Sequence, residues 1–399
     1  LPAGSAGDIV AVSDYARNFA TYNLTIVANG SDKIGGNTFD GTLDIDGQAA
    51  TFVFVDSTKG WINVQNAEDT ETGVLPFIEA TGGCITTCGN DKIHTFIAPG
   101  TFQVTKIATC CAAVNNLVSY MVVAGGGGVA GVGTNNSSMG GGGAGGFREL
   151  KSPSTPSYTA SPLDGYPNAP NRITVTASPY PITVGGGGAG GATGLGNLGS
   201  PGDTSTFSTI SSAGGGRGAG YLSSWIPALD GGSGGGGGYA GASPATGGAG
   251  NTPPTTPPQG EPGGNGLPSP TGGCGSAGGG GAGAGGQNSQ NTPVYNIGGA
   301  GGIGAVTGIN PSTCVGTPGP AAGRYFAGGG AGAPYAVPGT IAGGAGGGGN
   351  GAVYPPGGQG TDGADNTGGG GGGSSGPPSG TAAGASGGSG IVIIRYRFQ

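Results

Sequence analysis

Ser119-Tyr120-Met121-Val122-Val123-Ala124-Gly125-Gly126-Gly127-Gly128 is the stretch on which the reading of this chain turns. Its first six residues form a nearly continuous apolar run of strand length, which reads as a buried β-strand. The run passes straight into glycine. The end of the chain mirrors it: Gly387-Gly388-Ser389-Gly390 leads into Ile391-Val392-Ile393-Ile394-Arg395-Tyr396-Arg397-Phe398. In a strand, Val392, Ile394, Tyr396 and Phe398 share one face, and Ile391, Ile393, Arg395 and Arg397 share the other. A strand so apolar after so much glycine must pair with something distant, and residues 119–124 are the obvious partner.

Between these strands, residues 125–390 are glycine-rich. The chain holds 103 glycines and 30 prolines in 399 residues, and only 8% of it is charged. Ordinary usage is about 7% glycine and about 25% charged residues. Glycine has no side chain to bury, and ordering backbone costs about 1–2 kcal/mol per residue. Such a stretch is therefore either a flexible linker or a bundle held by backbone hydrogen bonds and close contact between neighbouring chains. The second reading predicts extended, polyproline-II-like glycine helices with three residues per turn. Strict Gly-X-Y spacing is absent, as Gly278-Gly279-Gly280-Gly281-Ala282-Gly283-Ala284 shows, so collagen is excluded. Pro253-Pro254-Thr255-Thr256-Pro257-Pro258 reads as an exposed loop.

Upstream, residues 1–70 carry short β-branched or alternating runs at 9–12, 24–27, 43–46 and 51–55, punctuated by Asn29-Gly30, Asp40-Gly41 and Asp46-Gly47. They read as a small β module. Residues 71–124 continue the β pattern and open the next domain. There, Ile93–Ile97 and Thr101–Val104 flank Pro99-Gly100 in the manner of a hairpin. Within the glycine zone, 171–176 and 181–184 are further strand candidates. No window carries a helical period. The fold class is thus all-β with extensive glycine helices, in four parts: 1–70, 71–124, 125–390 and the closing strand 391–399.

Net charge is −7 with only 12 Lys and Arg, so no basic stripe is present to track nucleic-acid phosphates. No apolar run of about 18 residues marks a transmembrane helix. The opening Leu1-Pro2-Ala3-Gly4 lacks Met and the pattern of a signal peptide, and reads as a processed or internal start.

The chemistry-bearing residues point away from catalysis. His94 is the one histidine, and it sits in an alternating strand, so it is read as structural and not as the base of a triad. Cys84, Cys88, Cys110, Cys111, Cys274 and Cys314 are disulfide candidates, with a pairing inside the 84–111 region favoured over buried thiols. A zinc site lacks the usual C-x₂-C spacing, and no metal or cofactor is expected. GxGxxG-like strings arise by chance in such a background, and no P-loop completes any of them. Carboxylates are sparse in the glycine zone, which leaves a depolymerase without a recognisable acid pair. Asp40, Asp44, Asp46 and Asp56 have no EF-hand spacing and read as turn residues. Aromatics standing among Gly, Pro and Ser are either pins for loops or contacts for sugars. Tyr221, Trp225 and Tyr239 are the candidates for a receptor site.

One ordered set of pieces carries a resemblance. It runs Ile93-His94-Thr95-Phe96, Gly100-Thr101-Phe102-Gln103-Val104, Tyr120–Gly128, Gly145-Gly146-Phe147-Arg148-Glu149, Ile182-Thr183-Val184-Gly185, Thr206–Ile210 and Gly387–Tyr396. Over about 90–399 this resembles the glycine-rich domain of tail-fibre-like proteins of phages, notably of marine and cyanobacterial hosts. Gly7–Ala16 with Asp56–Trp61 resembles a small β module of similar fibres. The resemblance implies an elongated, homotrimeric fibre exposed on the virion, joined to other tail proteins. It also implies binding to a host-surface glycan or protein at the distal end, with no nucleic acid and no membrane insertion. The long insertions at 151–170 and 253–270 depart from that pattern. Rival readings are an extracellular filament subunit made by a cell, its glycine runs pairing between subunits, and a capsid-surface fibre.

Overall fold

The computed structural model describes residues 1–67, 77–133, 138–221, 224–240, 243–267, 275–291, 296–334, 339–353, 357–376 and 381–399. Two compact units divide the chain, Leu1–Leu75 and Pro76–Gln399.

The first unit is a three-stranded antiparallel sheet in the order β1 (Ile9–Ser13), β4 (Ala49–Asp56), β5 (Gly60–Ala67), with a hairpin of β2 (Leu24–Ile26) and β3 (Gly41–Leu43). Its core follows from period-two alternation: Ala50, Phe52 and Phe54 of β4 turn inward onto Trp61, Ile26 and Leu43. The β4–β5 turn needs glycine. Gly60 has φ +68°, and a Cβ there would sit 1.9 Å from the Lys33 carbonyl.

The second unit begins with two five-stranded sheets. The first runs β11 (Phe147–Leu150), β10 (Ser119–Val123), β23 (Ile391–Arg397), β8 (Asp91–Phe96), β7 (Cys84–Cys88). The second runs β14 (Ile210–Ser212), β13 (Ser205–Phe207), β12 (Pro179–Thr183), β9 (Gly100–Lys106), β6 (Glu79–Thr81). The terminal strand pairs antiparallel with β10, Met121 opposite Ile393, and with β8 on its other side, Ile394 opposite His94. The two sheets share a core of Tyr120, Val122, Val392, Ile394 and Tyr396 against Phe102, Ile182 and Phe207. The opposite face of the first sheet is also buried: Met121, Val123, Ile391 and Ile393 pack against Phe147, Ala305 and Phe326. Burial on both faces explains why β10 and β23 are apolar at nearly every position.

Two sequence expectations are corrected here. The segments flanking Pro99-Gly100 are not a hairpin, because β8 and β9 belong to different sheets and the turn carries the chain from one layer to the other. Residues 171–176 form no strand; their backbone is tied to residues 116–118 by isolated bonds, such as Val118 N–H to the Ile173 carbonyl.

From the edge of the sandwich the chain continues as glycine segments, which hydrogen-bond with a three-residue period. The N–H groups of Gly125, Gly128 and Gly131 donate to the carbonyls of Asp203, Ser200 and Asn197. Those of Gly126, Val129 and Val132 donate to Gly388, Ala385 and Ala382, and that of Gly127 to Gly143. Carbonyls follow the same period. Gly126, Val129 and Val132 accept from Gly188, Gly191 and Gly194, Gly125 and Gly128 from Gly215 and Gly218, and Gly127 from Gly371. Segment 125–132 therefore meets three neighbours through its donors and three others through its acceptors. All of these bonds lie within one chain.

The reason for glycine in these segments is space. Gly125, Gly126 and Gly127 do not have positive φ. A Cβ on them would stand 1.9 Å from the Gly186 carbonyl oxygen, 2.1 Å from that of Gly369 and 2.2 Å from that of Gly216. Short hairpins interrupt the bundle: β15 (Gly220–Tyr221) with β16 (Trp225–Ile226), β17 (Tyr239–Ala240) with β18 (Ser243–Pro244), β19 (Gln290–Asn291) with β20 (Asn296–Ile297), and β21 (Ala305–Thr307) with β22 (Arg324–Phe326).

Candidate functional site

The far end of the bundle is where its segments turn back. Segment 125–132 leaves β10 and reaches Val132, which bridges Ala382; nearby, Ser138 bridges Ser375. The β15–β16 hairpin belongs to this end, since Tyr221 and Trp225 pack with Val129, Val132, Met139, Leu198 and Ala382. Tyr221 stands opposite Trp225 across the hairpin, with ring centroids 5.3 Å apart. Both are half-buried. The Trp225 ring lies over Gly238, where a Cβ would meet it at 2.1 Å, and its Nε1 is buried without a hydrogen-bond partner. One face of the pair thus anchors the hairpin, and the remaining area is open to solvent. Two of the three receptor candidates come together here; Tyr239 opens β17, and its side chain lies outside the described residues.

Of the other loop aromatics with described side chains, Tyr158, Tyr180 and Tyr325 pack against the fold, whereas Tyr166 is exposed. Tyr158 is 6% and Tyr325 4% exposed, and Tyr180 packs on Phe102 and Phe207. Tyr166 lies against the Arg172 guanidinium. Tyr295, Tyr335 and Tyr354 fall outside the described residues.

The base of the bundle holds a polar cluster that no local sequence pattern announces. Arg395, on the outer face of β23, is 1% exposed. Its Nε donates to Asp91 Oδ2 at 2.9 Å, and its Nη2 stands 2.8 Å from the same oxygen in an ion pair. Nη2 also donates to Ser157 Oγ at 2.8 Å, and Nη1 to the Ile309 carbonyl at 2.9 Å. The guanidinium lies 5.0 Å from the Tyr158 ring centroid. A cavity of about 330 Å³ opens beside it, lined by Cys88, Ser157, Tyr158, Thr307, Gly308 and Pro311 among others. Because the donors of Arg395 are already engaged, this cavity offers little charge to a ligand; the cluster locks β23 to the loops at 157–160 and 307–309. The one sequence signal for it is an arginine inside an apolar strand.

Glu149 sits close by and is 2% exposed. Thr307 Oγ1 donates to one carboxyl oxygen at 2.6 Å and the Ser161 N–H to the other at 2.8 Å. Burial pushes its carboxyl up to about 7, against the opposing effect of these two donors, and the neighbouring Asp164 adds to the rise.

His94 is wholly engaged. Its Nδ1 lies 2.7 Å from the Gly82 carbonyl, which can only accept, so Nδ1 carries the proton and Nε2 accepts from Tyr396 Oη at 3.1 Å. Burial lowers its pKa. The ring stacks on Tyr396 and meets Phe102 edge-on.

Cys84, Cys88 and Cys314 are free thiols. Cys84 cannot pair with Cys88 of the same strand, because four residues of β-strand separate them by about 13 Å. Cys110 and Cys111 open a 3₁₀ turn, and Cys274 lies outside the described residues. Among the described residues no group of three or more His, Cys, Asp or Glu gathers as a metal site, and no helix is long and apolar enough to cross a membrane. In the first unit, Asp46 accepts from the Ala20 N–H, and Asp56 from those of Thr58 and Lys59, so these carboxylates cap turns.

Residues 97–397 match a family model described as a glycine-rich domain. The chain belongs to that family. The match takes in the sandwich from β9 onward and the whole bundle, ending on the last residue of β23. No curated protein matches the chain.

Proposed function

We propose that this protein is a structural fibre or adhesin component of a phage virion, non-enzymatic, with its glycine-rich domain mounting loops that contact a host-surface glycan or protein. The observation that carries the reading is the bundle itself. It is closed by backbone bonds within one chain, grows from a β-sandwich, and ends in hairpins that present aromatics such as Tyr221 and Trp225. We further propose that the segments are helices of the polyglycine-II type. A neighbour repeated every third residue, with φ negative at Gly125–Gly128, is the pattern that a threefold extended helix gives.

The same closure weighs against the filament reading, in which glycine runs pair between subunits. It also leaves the trimer implied by the resemblance with no role inside the bundle. The test combines binding with shape. The purified chain is applied to candidate host cells, and Trp225→Ala is compared with the parent. Binding by the parent that weakens at least tenfold in the variant, with the variant still folded by circular dichroism at the assay temperature, supports the reading. A chain that binds no host surface, or that grows into open filaments with concentration in electron micrographs, overturns it.

A further inference from the structure

β7 is an edge strand of the first sheet, and nothing in its sequence, Cys84-Ile85-Thr86-Thr87-Cys88, protects it. Natural edges are blunted by charge, proline or a bulge. This strand has no charge and no proline, and its register with β8 runs without a bulge from Cys84 opposite Thr95 to Cys88 opposite Asp91. Its first four residues are exposed, Ile85 at 44%.

The direction of its free backbone groups follows from the alternation of antiparallel bonding. The Phe398 N–H donates to the Asn90 carbonyl, so β23 and β8 bond at even-numbered residues of β8, such as Lys92 and His94. Odd-numbered residues of β8 therefore bond to β7, and their partners are Cys84, Thr86 and Cys88. The N–H and C=O of Ile85 and Thr87 are left pointing away from the sheet.

We propose that β7 pairs antiparallel with β7 of a second copy of this chain about a twofold axis at Thr86, and that two interchain disulfides, each joining Cys84 to Cys88, lock the pair. Centring on Thr86 uses the outward groups of Ile85 and Thr87, which face Thr87 and Ile85 of the second copy in hydrogen-bonded pairs. Cys84 then stands opposite Cys88 in a non-hydrogen-bonded pair, where Cα atoms approach to about 4.5 Å. Disulfides span Cα separations of about 4.4–6.8 Å. No other register puts both thiols opposite thiols. A five-residue edge alone buries little area for a stable interface, so the covalent links hold it. Each bond forms by thiol–disulfide exchange with an oxidised low-molecular-weight disulfide: two thiols become one disulfide, and the oxidant leaves as two reduced thiols. The contact is isologous and closes at two copies.

The test uses the full chain, first reduced and then equilibrated with oxidised glutathione, and reads mass by light scattering and non-reducing gel. The mass is expected to double on oxidation and to return on reduction. Digestion should yield two copies of the peptide that carries Cys84 and Cys88, joined to each other. Cys84→Ser should abolish the dimer, since both links need that residue, while Cys314→Ser should leave it intact. Thr87→Pro removes an N–H that takes no part in the β8 ladder; it should keep the thermal transition of the parent and lose the dimer. Oxidised chain that stays monomeric or forms a trimer, links that run through any other cysteine, or a Thr87→Pro variant that still doubles in mass would each overturn the proposal.

Discussion

At the scale of the residue, most side chains in the bundle matter by being absent. Gly127 and Gly186 lie in similar runs, yet a Cβ on Gly127 would stand 2.2 Å from a backbone oxygen, whereas on Gly186 it would meet only the Asp203 carboxylate, at 3.4 Å. Gly127→Ala is expected to cost about 1–3 kcal/mol or more through overpacking, and Gly186→Ala less than about 1 kcal/mol; urea unfolding of both variants decides. Sequence alone could not rank these positions, because one glycine in a run looks like the next. Glu149 gives a second residue-scale expectation. Its carboxyl is raised in the fold, so the folded state holds the proton more tightly than the unfolded chain. The stability this gives is complete below the ordinary carboxylate range and is lost as pH rises to about 7. Every tenfold tightening of proton binding corresponds to roughly 1.4 kcal/mol. His94, buried and lowered, acts in the opposite sense, since stability there rises as pH passes the range in which the unfolded imidazole loses its proton. The comparison is therefore between the parent and Glu149→Gln, whose stability difference should change between about pH 5 and pH 8; a constant difference would count against a raised Glu149.

At the scale of the element, β10 and β23 are legible because burial on both faces leaves a continuous apolar run. The alternation of β4 is legible for the ordinary reason that one face is wet. The β8–β9 turn is not, since Pro99-Gly100 looks the same whether the chain returns to its own sheet or crosses to the next. Arg395 shows what an apolar strand can carry once the whole chain is folded: its partners Asp91, Ser157 and Ile309 lie far apart in sequence. Removing one member of a buried pair leaves a bare charge at a cost of about 3–5 kcal/mol. Arg395→Ala should therefore lower the denaturation midpoint sharply, and chemical denaturation against the parent measures it.

At the scale of the whole molecule, the composition points to the kind of scaffold but not to its closure. A glycine-rich stretch pairs equally well with its own chain or another, and only the three-residue relay from 125–132 to segments around 200, 385, 190, 216 and 371 shows that the partners are internal. The candidate site is legible to the extent that Tyr221 and Trp225 stand among small residues. That they meet at the bundle end depends on a fold that local sequence does not encode. Hydrogen exchange offers the matching test. Amides at 125–131 should exchange only with global unfolding, at rates set by the stability of the whole second unit. Rapid exchange there would mean that the relay opens locally and that the sandwich carries the stability alone.

The relay also has a mechanical meaning. Its bonds run sideways between segments that lie along the same direction as β10 and β23. A tug on the hairpin end, directed along the bundle, loads neighbouring segments in shear. The bonds between two segments then bear that load together, instead of opening one after another as they would in peeling. Each bond is weak by itself, yet a tether built this way resists a brief axial pull far better than a sideways one.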